Sequence, residues 1–203
     1  FSMNPVEASA SSAEKILEAA TDLFAANHFN GVSIKEIAKK SGVNSALISY
    51  YFGGKKNLYQ EVLNEQSNLF LNLIARVSSK EIAPLARLRE YIAAISEVQK
   101  LHPHRIHLIY RELLTPTFTC DSFIKNRLYK IHKFMSDLVT EAIADGSIHK
   151  DVQPTHVAFT LESIIVFFFL THDQIRDLGH FKAGTENTYL EEALNTYLSS
   201  ITN

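Results

Sequence analysis

The chain has 203 residues, 46% hydrophobic and 21% charged, with 20 Lys and Arg against 22 Asp and Glu, a formal net charge of −2 and one cysteine. That balance excludes a disordered or collagen-like polymer, a disulfide framework or a multi-cysteine metal site within one chain, and a uniformly basic nucleic-acid coat, while leaving room for a local basic surface. The most apolar stretch, Val157–Leu170, carries Glu162 and is shorter than the ~20 residues a membrane span needs. With no basic flank or apolar run in Phe1–Ala10, a cytoplasmic protein without membrane attachment is expected.

Val and Ile are spaced helically rather than alternating, so the chain is expected to be all-α. Ser11-x-x-Glu14 has capping-box spacing and predicts a first helix opening at Ser11 or Ser12, with Ile16, Leu17, Ala20, Leu23 and Phe24 on one apolar face. Gly31 is suited to a left-handed position after it. Ser33-x-x-Glu36 predicts a second capping box, with Ile34, Ile37 and Ala38 buried and Gly42 supplying the turn. A third short helix follows over Ser45–Phe52, broken by Gly53-Gly54, and a longer one starts near Lys55 and runs to about Arg76. Beyond Pro84 the spacing predicts helices near 85–100, 104–114, 119–145, 154–172 and 185–201, punctuated by Pro103, Pro116, Gly146 and Pro154.

Two short helices around a Gly-containing turn make a helix-turn-helix pattern, in which the second helix enters the DNA major groove. At 3.6 residues per turn, Ile48, Phe52 and the edge of Tyr51 fall on the inner side of the third helix. Ser45, Ala46, Ser49 and Tyr50 fall on the outer side, with Leu47 at its border. Short side chains there let the backbone approach base edges; Ser can hydrogen-bond a base or a phosphate, and Ala can touch a thymine methyl. Lys35, Lys39, Lys40, Lys55 and Lys56 share a segment whose sole acid is Glu36. Lys55, Lys56 and Ser33 sit at helix starts, where exposed N–H groups attract phosphate.

The run LFAANHFNGVS, then IKEIAKKSGV, then ISYYFGGKKNLYQEVL resembles the DNA-binding domain of TetR-family transcriptional repressors, over residues 12–62. Tyr50-Tyr51-Phe52 followed by Lys55-Lys56-x-Leu58 is close to that family's aromatic–Phe–x–x–Lys–x–x–Leu signature, with Gly53-Gly54 departing from its more polar pair. The resemblance implies a DNA-binding domain over 10–58 and a helical effector-binding and dimerisation domain over 59–203. It places DNA contacts at Ser33, Asn44, Ser45, Ala46, Ser49, Tyr50 and Lys55. It also implies a homodimer built from the last two helices, with Phe167, Phe168, Leu190, Leu194 and Tyr197 as interface candidates, which binds a palindromic operator in double-stranded DNA. Finally it implies release by a small molecule, hydrophobic or aromatic given the candidate lining Phe70, Ile74, Tyr91, Ile95, Tyr110, Leu114, Phe118, Phe134, Leu161 and Ile165.

Arg111–Thr117 resembles a stretch in the C-terminal domain of CecR-type members of the family, but reads more simply as a helix end held by an ion pair, with Pro116 as the stop. His102, His104 and His107 cluster at a helix start; surface histidines are expected there and no metal or cofactor is assigned. Cys120 is expected to be inert packing rather than a redox sensor. The chain carries no G-x-S-x-G, P-loop or H-E-x-x-H motif, and no enzyme activity is expected. The rival readings are a DNA-binding protein without an effector and a helical carrier or enzyme that uses the apolar bundle.

Overall fold

The computed structural model describes residues 5–101, 103–117, 121–177 and 186–203. They form nine α-helices, and no strand among the described residues: α1 (Pro5–Ala26), α2 (Ile34–Ser41), α3 (Ser45–Phe52), α4 (Lys55–Ser78), α5 (Pro84–Leu101), α6 (Pro103–Leu114), α7 (Asp121–Ala144), α8 (Pro154–Asp177) and α9 (Glu186–Ile201). The chain divides into two compact units, Phe1–Asn68 with His104–Asp121, and Leu69–Pro103 with Ser122–Asn203.

In the first unit α1 is longer than expected. It begins at Pro5, so Ser11 lies inside the helix and does not cap it. Proline is at ease in a first turn, where its missing N–H would have no helical partner. The exit from α1 also differs. Gly31 does not take a left-handed φ; it closes a single 3₁₀ turn, Phe29–Gly31, through Gly31 N–H to the His28 carbonyl at 2.9 Å. The core gathers Ile16, Ala20, Phe24, Val32, Ile37, Ile48, Leu58, Tyr59, Val62 and Leu63. Phe24 meets Tyr59 edge-on at 4.7 Å between ring centroids and stacks on Phe29 at 5.9 Å, arrangements that satisfy the ring quadrupoles. Helix α6 adds Leu108, Ile109 and Tyr110 to the buried set.

The second unit is built from the end of α4 with α5, α7, α8 and α9, with Leu88, Tyr91, Ile92, Ile95, Met135, Leu138, Val139, Leu161, Ile165, Leu190, Leu194 and Leu198 buried. Helix α7 ends before Gly146, whose φ of 83° is a left-handed conformation that glycine tolerates best. Tyr91 meets Phe134 edge-on at 4.9 Å. His132 Nδ1 lies 3.0 Å from Glu162 Oε2; burial pushes the Glu162 carboxyl up, and the His132 contact opposes that.

Helix α8 departs from the sequence expectation in one respect. It extends past the apolar run, and Pro154–Thr171 is long and apolar enough, by length and composition, to cross a membrane. Its buried positions Val157, Ala158, Leu161, Ile165 and Phe168 form one helical stripe, while Phe159 and Phe167 on other sides remain about two-thirds exposed, at 66% and 65%.

Candidate nucleic-acid interface

Local signals place the reading helix. Ser33 caps α2: its hydroxyl accepts from the Glu36 N–H at 3.2 Å, and Glu36 Oε2 accepts from the Ser33 N–H at 2.7 Å. The Ser33 hydrogen bonds hold the Glu36 carboxyl below its usual value, with a smaller contribution from Lys55. The turn is made by Gly42 at φ 70°, whose N–H bonds the Ala38 carbonyl. Asn44 then caps α3, its Oδ1 accepting from the Ala46 N–H at 2.9 Å. Losing such a cap costs about 1 kcal/mol. Gly53 closes α3 at φ 69°. A Cβ there would approach Asn57 Nδ2 to 3.0 Å, a tight contact that the Asn57 side chain must yield to, and the left-handed backbone strains any larger residue.

The two sides of α3 separate as the helical geometry requires. Ile48 is fully buried, Leu47, Tyr51 and Phe52 are half-buried, and Asn44, Ser45, Ala46, Ser49 and Tyr50 are exposed, Tyr50 at 79%. Ser33, the N-cap of α2, is also exposed. The structure thus brings six of the seven candidate DNA contacts to solvent on one helix-turn-helix. The seventh, Lys55, is half-buried, its ammonium 4.1 Å from the Phe29 ring centroid. Burial lowers the Lys55 pKa, and the Glu36 carboxylate opposes this. Of the other lysines, Lys40 pairs with Asp22 at 3.1 Å, while Lys35, Lys39 and Lys56 are exposed.

The first unit also holds groups with no local sequence signature. Glu112, 1% exposed, accepts from the Tyr59 hydroxyl through one oxygen, and from the Thr117 N–H at 3.0 Å and hydroxyl at 2.9 Å through the other. Burial and this carboxylate hold the Tyr59 phenol protonated, well above its usual value. Arg111 donates to the Phe24 carbonyl. The end of α6 is therefore not held by an Arg111–Glu112 ion pair: each of the two side chains has its own partner. A cleft of about 240 Å³ opens beside them, lined by His28, Phe29, Asn30, Arg111, Glu112, Thr115, Pro116 and Thr117.

The effector and dimer candidates are distributed as follows. Phe70, Tyr91, Ile95, Leu161 and Ile165 are buried, and Ile74 and Phe134 half-buried, in the second unit. Tyr110, buried, and Leu114, exposed, belong to α6 in the first. Among the dimer candidates Phe167 is exposed and Tyr197 half-buried, whereas Phe168, Leu190 and Leu194 are buried within the chain itself. Phe159 on α8 is exposed, as is Tyr189, which shares the helical spacing of the α9 candidates. Phe118, Cys120 and His102, and the side chain of His104, lie outside the described residues; among those described, no three metal-ligating side chains converge.

Residues 16–62 match the family described as bacterial regulatory proteins, tetR family. The transcriptional repressor NicS of Pseudomonas putida is 31% identical over 157 residues, which is 76% of this chain and 74% of that protein. Among solved structures, a fatty acid metabolism regulator assigned in Clostridium perfringens superposes with a TM-score of 0.78 at 20% identity, covering 93% of this chain and 99% of the other. AibR, solved in complex with isovaleryl coenzyme A and operator DNA, superposes with a TM-score of 0.72 at 23% identity, covering 91% and 97%. These two likenesses concern the fold.

Proposed function

The chain belongs to the TetR family of bacterial transcriptional regulators, and from that premise we propose that it is a cytoplasmic, homodimeric repressor that reads a palindromic operator and is released from it by a small molecule. The observation that carries the reading is the outer face of α3: Ser45, Ala46, Ser49 and Tyr50 exposed on a helix capped at both ends and anchored by the buried Ile48. Such a helix presents short donors, acceptors and a methyl to base edges without having to order itself on binding. Ser33 and Lys55 serve the phosphates, which fix register and supply the salt-dependent part of the affinity. The exposed apolar side chains of α8 and α9, Phe159, Phe167 and Tyr189, support burial against a second copy. A two-fold dimer sets two reading helices about one DNA turn (~34 Å) or a multiple of it apart.

The effector reading draws on two features. AibR is a protein of this fold caught with a small molecule and operator DNA. In the second unit Gln99 is 1% exposed, and among the described residues neither its amide oxygen nor its amide nitrogen has a hydrogen-bond partner. A buried amide without partners costs about 1–3 kcal/mol, which a ligand carrying polar groups would offset. Gln99→Met, similar in volume and apolar, should therefore raise the thermal midpoint of the protein by the equivalent of roughly 1–3 kcal/mol. Melting curves at matched concentration check this, and a lowered midpoint would remove Gln99 as support. The ligand acts only by binding the non-reading geometry more tightly than the reading one.

The test of the whole reading is selection of bound sequences from random duplex DNA at about 150 mM salt, where non-specific phosphate binding is much reduced. The expected result is a palindromic motif. A folded, dimeric protein that enriches no motif would overturn it.

A further inference from the structure

The phosphate contact assigned to Lys55 depends on where a long, flexible side chain puts its charge, and the structure supplies a platform for it. The Lys55 ammonium stands 4.1 Å from the Phe29 ring centroid, inside the range where the negative face of an aromatic ring attracts a cation. Phe29 is itself fixed. It stacks on Phe24 at 5.9 Å and leans on Tyr59 at 5.0 Å, and Tyr59 is tied through its hydroxyl to the buried Glu112 of α6. Lys55 also feels the Glu36 carboxylate, which is already bonded to the Ser33 N–H. All these groups belong to the first unit.

We propose that Phe29 is a positioning residue for DNA binding: its ring holds the Lys55 ammonium at the start of α4, where the charge and the helix N-terminus serve one phosphate. Phe29 contacts no DNA itself. It acts by limiting the rotamers of a long side chain that otherwise loses rotamer entropy when immobilised, and helix α6 sets the ring's place through the Glu112–Tyr59 hydrogen bond. This rests on the reading of Lys55 as a phosphate contact.

The test is the slope of log affinity against log salt for the selected operator duplex, measured on the full-length dimer. Lys55→Ala should lower the slope by about one phosphate's worth. Phe29→Leu should weaken binding roughly three- to tenfold and lower the slope by about the same amount as Lys55→Ala. Phe29→Tyr, which keeps the ring face, should restore both. In the double variant the two losses should not add, because both remove one contact. A Phe29→Leu protein that binds more weakly with the parental slope, or whose loss adds fully to that of Lys55→Ala, overturns the proposal and leaves Phe29 as core packing. If Phe29→Leu melts below the assay temperature, Phe29→Met supplies the same comparison. If Lys55→Ala itself leaves the slope unchanged, it is the phosphate contact that has failed, and the proposal falls with it.

Discussion

Ala46→Glu should weaken operator binding by at least about 100-fold, roughly 3 kcal/mol, while leaving the thermal midpoint unchanged or slightly raised. Ala46 is the second residue of α3, exposed, and its N–H is bonded to the Asn44 cap. A carboxylate in the first turn of a helix interacts favourably with the unsatisfied N–H groups there, by about 0.3–1 kcal/mol. The same charge on the face that enters the groove meets the phosphate field of the duplex and must be desolvated against base edges that offer it few donors. Fold and function therefore respond in opposite directions, which separates a contact residue from a folding residue. Operator titration and a melting curve on one preparation check both. Retained binding in the folded variant would show that the outer face of α3 does not face DNA.

Glu112→Ala should have the largest effect on stability, a loss of about 3–5 kcal/mol. Glu112 is buried at 1% exposure, and its two oxygens satisfy three donors: the Tyr59 hydroxyl, the Thr117 N–H and the Thr117 hydroxyl. Deleting the carboxylate leaves those donors without their acceptor and opens a void beside Tyr59, and buried unsatisfied groups each cost about 1–3 kcal/mol. Glu112→Gln should lie between the parent and Glu112→Ala. Its amide oxygen can accept from one side, but its NH₂ faces donors on the other. Denaturant unfolding followed by circular dichroism measures the loss. A cost below about 1 kcal/mol for Glu112→Ala would mean that the carboxylate does not hold α6 to this unit.

The ordering of these effects matches the way the helix-turn-helix is built. The reading face carries little of the packing, so it tolerates change without unfolding, while the opposite side of the helix holds it in place. Ile48 is the buried residue of α3; Phe24, Phe29 and Tyr59 form an aromatic cluster in the same unit. Substitutions on the exposed side should alter DNA affinity with stability nearly constant, and substitutions in the cluster should alter both.

By itself the sequence determined the elements whose causes are local. The capping boxes, the glycine stops and the 3.6-residue period depend on groups within four residues of one another, and so α2, α3 and the side of α3 that faces solvent were legible from Ser33, Gly42, Ile48 and Gly53. The same local reasoning misplaced the start of α1, because Ser11-x-x-Glu14 satisfies the spacing of a cap whether or not the helix already runs through it from Pro5. Only the tertiary structure decided what distant residues do to one another. Phe29 beneath Lys55 and Tyr59 against Glu112 across 53 positions have no periodic signature, and periodicity showed that Phe168, Leu190 and Leu194 share apolar faces without showing that they are buried within the chain itself. An apolar or charged side chain read alone shows that it needs a partner, and long-range packing settles which one it finds.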